Sequence, residues 1–99
     1  MSISSLYDTV IELAMYTAKR PRSQSPARLV PFLKFKELPT KAKETVIDVL
    51  DTDEAFRKRV AAKVYGPKHG RFAFNYLKRP DGWEDFVSQM IEISEEPLS

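Results

Sequence analysis

LPTKAKETVIDVLDTDEAFRKRVAAKV, residues Leu38 to Val64, is the stretch whose reading decides the fold. It divides into two helices, Thr40–Leu50 and Asp53–Val64, on either side of the acidic corner Asp51-Thr52-Asp53. Ala42, Val46, Val49 and Leu50 fall at helical spacing on one side of the first. Phe56, Val60 and Val64 recur every four residues in the second, so their side chains line one face. Two amphipathic helices on so short a connection are expected to fold back as an antiparallel hairpin. The rest of the chain then serves to cover the apolar faces of this hairpin, which predicts an all-α fold, a small helical bundle.

Upstream, Ser4–Lys19 reads as a helix capped by Ser4 or Ser5. Leu6, Val10, Leu13 and Thr17 form its stripe, widened by Ile3, Tyr7, Ala14 and Met15. Pro21 ends it, and the Pro/Ser/Arg segment at 20–28 carries no apolar period, as a loop would. Leu29–Leu38 is dense in apolar residues around Pro31. A short helix with the proline in its first turn is expected, with Phe32, Leu33 and Phe35 plugging one end of the hairpin.

Downstream, Gly66-Pro67 is a break. Arg71–Leu77 alternates like a strand, yet Phe72/Tyr76 and Ala73/Leu77 are also four residues apart. A lone strand would have no partner, so a short helix is expected. Asp81 and Glu84 have capping-box spacing ahead of a last helix, Gly82–Ile93, which buries Trp83, Phe86, Val87, Met90 and Ile91. The expected core is Leu13, Leu33, Val46, Leu50, Phe56, Val60, Phe86 and Met90, with Trp83 largely buried and residues 95–99 a frayed acidic tail.

At 99 residues with 42% hydrophobic content the chain suits a single domain, 1–99. It contains no cysteine, which removes disulfides and thiolate zinc sites and agrees with a cytoplasmic location. No apolar run approaches the ~18 residues of a membrane span, and Asp8 and Glu12 interrupt what would be a signal core. His69, the single histidine, sits in Gly66-Pro67-Lys68-His69-Gly70 and reads as an exposed turn residue rather than a base or ligand. Asp48, Asp51, Asp53 and Glu54 lack the spacing of a cation loop and stand where helix-capping acids belong. With three glycines there is no phosphate loop and no nucleophile elbow. Neither an enzyme, a metal nor a cofactor is expected.

The net charge of +2 conceals blocks. Lys19 to Lys43 holds eight bases against Glu37 alone, and Arg57 to Arg79 eight bases and no acid. Glu44 to Glu54 holds five acids and Asp81 to Glu96 six, neither with a base. Such blocks either neutralise one another between neighbouring helices or create a field for a charged partner. Basic residues interleaved with aromatics suit single-stranded nucleic acid, RNA more than DNA, because no helix concentrates base-reading side chains as a major-groove reader does. The candidate contacts are Arg20, Arg22, Arg28, Lys68, Arg71, Lys78 and Arg79 to phosphates, with Tyr76 stacking on a base. The competing reading is a protein-interaction module, self-association through the Met1–Tyr16 helix as a homodimer included.

Arg28-Leu29-x-Pro31-Phe32-Leu33-x-Phe35, Leu38-Pro39, Asp53-Glu54-x-Phe56-Arg57-x-Arg59-Val60 and Arg79-Pro80-Asp81-Gly82-Trp83-Glu84 together resemble the helical N-terminal region of larger actinobacterial proteins. Some of those carry a PIN-like (NYN) RNA-binding or nuclease domain further on. The resemblance spans about Ala18 to Glu92, and its words are helix ends and core positions. It implies an accessory helical domain that helps to hold RNA or a partner. Nuclease activity does not carry over, because its acids would lie downstream of the matched region.

Overall fold

The computed structural model describes residues 6–19 and 25–95. Five α-helices and one 3-10 helix make up the fold of these residues, with no strand among them. They are α1 (Tyr7–Lys19), the 3-10 helix (Ala27–Phe32), α2 (Thr40–Thr52), α3 (Glu54–Ala61), α4 (Gly66–Lys78) and α5 (Trp83–Glu95). The all-α bundle expected from the sequence is what forms. The serines read as caps for the first helix lie outside the described residues, as do Arg20 and Arg22.

The central pair is joined more tightly than expected. α2 runs on through Asp51 and Thr52, so the corner is the single residue Asp53. The amide of Asp53 closes α2 on the Val49 carbonyl at 2.7 Å, while its carboxylate accepts the Phe56 N–H at 3.0 Å and caps α3. Arg57 reaches back to the Leu50 carbonyl at 3.0 Å, satisfying one of the open acceptors at the end of α2. α3 stops at Ala61 rather than Val64, because Lys63 and Val64 bond three residues back and tighten the chain out of the α-helix.

Pro31 overturns the helix expected at Leu29–Leu38. It is the fifth residue of a six-residue 3-10 helix, not a member of a first α-turn. Its ring and missing N–H keep an α-helix from continuing through it, and the segment stays short. Leu33 is buried here, but Phe32 is half-buried and Phe35 is 44% exposed, so only part of the expected plug enters the core.

α1 packs across α2, α3 and α4, and α4 in turn carries α5. Val10, Ala14 and Ala18 of α1 are fully buried with Leu29, Val46, Leu50 and Val60. The alanines let neighbouring backbones approach, and the buried hydroxyl of Thr17 donates to the Leu13 carbonyl at 2.8 Å. Of the expected core, Leu13, Phe86 and Met90 are only half-buried; Val10, Leu29, Phe72, Tyr76, Leu77 and Val87 take up that role. Trp83 is half-buried rather than largely buried. Gly82, with φ 83°, provides the carbonyl that accepts the first bond of α5 from Phe86, so it takes the capping position expected for Asp81.

Candidate nucleic-acid interface

α4 begins where a break was expected. Tyr65 is its N-cap and Pro67 lies in its first turn, a place where a proline loses no needed donor. The His69 amide donates to the Tyr65 carbonyl at 2.8 Å, and the Tyr65 amide donates to Nδ1 of His69 at 2.8 Å. His69 is therefore a half-buried capping residue, not a free turn histidine. Because Nδ1 accepts, the neutral ring carries its proton on Nε2. Gly70 then kinks the element with φ 89° and ψ 166° before regular helix resumes at Arg71. That backbone region is open to glycine alone.

From Arg71 onward α4 has two distinct faces. Phe72, Ala73, Tyr76 and Leu77 point inward and are buried. Tyr7 meets the rings of Phe72 and Tyr76 edge-on at 5.0 and 5.4 Å, and Tyr76 meets Trp83 edge-on at 6.3 Å. Arg71, Phe74 and Lys78 recur at intervals of three and four residues and lie together outside. Phe74 is 38% exposed, and the Lys78 ammonium stands 5.7 Å from its ring centroid. No acidic residue occurs in α4.

This arrangement redistributes the expected contacts. Arg71 and Lys78 come together on the outer face of α4, with Lys68 exposed in its first turn. Arg28 sits on the 3-10 helix, not in a loop, and pairs with Asp48 of α2 at 2.5 Å. Arg79 is committed to the fold. It adopts the left-handed conformation at the end of α4 (φ 52°), donates from Nε to the Tyr76 carbonyl at 3.1 Å and from Nη2 to Asp51 at 2.7 Å. Its guanidinium also lies over Trp83, 4.1 Å from the ring centroid. Tyr76 cannot stack on a base: it is 3% exposed and its hydroxyl donates to Asp51 at 2.6 Å. The exposed aromatic of the run is Phe74, and the helical period about Arg71 and Lys78 is the signal that finds it.

The charge blocks neutralise one another unevenly. Asp48, Asp51 and Glu54 pair with Arg28, Arg79 and Lys58. Glu54 is held below the ordinary carboxylate range by its hydrogen bond to Lys58. Glu84, Asp85 and Glu92 of α5 are exposed. No three of His, Asp and Glu converge to hold a cation among the described residues, and no helix there is long and apolar enough to cross a membrane.

A second surface lies on the helix expected to serve self-association. α1, the 35–38 segment and the start of α2 enclose a groove of about 660 Å³ lined by Ile11, Met15, Tyr16, Phe35 and Leu38. Asp8, Glu12 and Lys19 flank it from α1; Lys36, Glu37 and Lys43 flank it from the other side.

Comparison of the chain with family models, curated proteins and solved structures finds no match.

Proposed function

We infer that this domain is a non-enzymatic nucleic-acid-binding module that takes single-stranded RNA along the outer face of α4. The observation that carries the reading is the acid-free row of Arg71, Phe74 and Lys78, in which an exposed ring lies between two cations. Cations displace counterions from phosphates, and an exposed ring stacks on any unpaired base. A single strand is favoured over a duplex because a base must be unstacked to meet Phe74. The cysteine-free composition agrees with a cytoplasmic site of action.

The test is a titration of labelled single-stranded RNA at several salt concentrations, beside single-stranded DNA and an RNA duplex. With three phosphates neutralised by Lys68, Arg71 and Lys78, the log–log salt slope is expected at about −2. Arg71→Ala/Lys78→Ala should flatten it, and Phe74→Ala should weaken binding about tenfold or more without changing it. Absent binding at low salt, or binding that none of these variants alters, overturns the reading.

A self-association module is the second reading, and the groove beside α1 favours it. Its rim carries both signs on each side, Asp8, Glu12 and Lys19 on α1 and Lys36, Glu37 and Lys43 opposite, so a two-fold axis would set Asp8 and Glu12 of one copy against Lys36 and Lys43 of the next.

A further inference from the structure

Where the first turn of α4 approaches α1, a hollow of about 710 Å³ opens between Thr9, Glu12, Leu13, Tyr16, Lys63, Lys68 and His69. It is separate from the Arg71–Phe74–Lys78 row and adjoins its beginning. Lys63 and Lys68 are exposed within it, and among the described residues neither forms an ion pair with Glu12 or any other acid. His69 also faces it, with its ring position set by the bond from the Tyr65 amide to Nδ1. That bond leaves Nε2–H as the available donor of the neutral ring. Two ammonium groups, an imidazole N–H and the Thr9 hydroxyl form a donor set for a multiply charged oxyanion.

We propose that this hollow is a subsite for a terminal phosphomonoester of an RNA strand, held by Lys63, Lys68 and His69. The proposal rests on the RNA reading of α4 and specifies the strand end that it prefers. A terminal phosphomonoester carries about −1.5 to −2 charges near neutrality, against one for an internal phosphodiester, so two lysines favour the end over the middle of a strand. The volume exceeds the needs of an inorganic ion and admits the whole terminal nucleotide. Tyr16, 51% exposed and lining the same hollow, offers a ring for its base. Glu12, an acceptor only, suits a ribose hydroxyl donor. Lys68, common to the hollow and to the start of the α4 row, joins the two into one path.

The experiment uses the full chain and short single-stranded RNAs of one sequence, with a phosphate at the 5′ end, at the 3′ end or at neither. One phosphorylated strand is expected to bind about tenfold more tightly than the unphosphorylated one, the usual scale of a charge-assisted contact. Lys63 is exposed and outside the α4 row, so Lys63→Ala should remove that difference and leave the unphosphorylated strand bound as before. Lys63→Arg should keep most of it. Circular dichroism confirms that each variant is folded. Equal binding of all three strands to the wild type overturns the subsite while leaving the α4 reading in place; so does a preference that survives Lys63→Ala. Binding of none of them removes both. A free nucleoside monophosphate that binds as tightly as the phosphorylated strand would reassign the hollow to free nucleotides and overturn the strand-end proposal.

Discussion

One carboxylate, that of Asp51, receives both the hydroxyl of Tyr76 and the guanidinium of Arg79. The three side chains fasten α2 to the end of α4, with Trp83 of α5 lying beneath the guanidinium. Burial, and then the neighbouring Asp51, raises the ionisation of Tyr76 above the ordinary tyrosine value of 10.0. Ionised, it would lose its donated hydrogen bond and face a second negative charge. In the unfolded chain the hydroxyl ionises normally, so the folded state binds the extra proton at high pH. The contribution of Tyr76 to stability is therefore complete below about pH 10 and is lost as the pH rises beyond it. Thermal melts from about pH 9 to 11 should fall less steeply for Tyr76→Phe than for the wild type; equal slopes would contradict this account. The sequence showed that aromatics and bases interleave over residues 71–79, but not which ring faces out. Alternation brings Phe72, Phe74 and Tyr76 to one side; the helical period separates Phe74 from the other two, and long-range packing on Tyr7 makes Tyr76 core.

Among the elements, α4 owes its shape to Gly70. A Cβ there would touch nothing within 4 Å, so the restriction lies in the backbone: φ is 89°. Gly70→Ala should lower stability by about 1–3 kcal/mol in chemical denaturation, and a cost below that range would mean the kink relaxes. The variant should also change how the turn bearing Lys68 and His69 is aimed relative to the Arg71 row. Elements with strong periods were legible: α2, α3 and α5 lie within a few residues of their expected spans. The start of α4 was not, since Gly66-Pro67 ends one helix as readily as it begins another. The distinction rests on the His69 ring reaching the Tyr65 amide, a contact that no local propensity reports.

For the molecule as a whole, basic α4 packs beside acidic α5. The exposed Glu84, Asp85 and Glu92 repel a phosphate backbone, so a bound strand is expected to leave α4 on the side away from α5. The groove beside α1 meets the hollow next to α4 at Glu12 and Tyr16 and makes a prediction of its own. If two copies associate there, light scattering at high micromolar concentration should give twice the 11.4 kDa chain mass, reverting to one in Glu12→Lys. A wild-type monomer throughout that range would exclude the homodimer. The block pattern of charge was plain in the sequence, whereas the identity of the paired acids depended on which helices became neighbours. The joint at Asp53 has a consequence for this whole: its amide closes one helix while its carboxylate opens the next. Fraying of α2 from its end would strip the first turn of α3 of its acceptor, so the two lose their order together, like a zip with a shared slider.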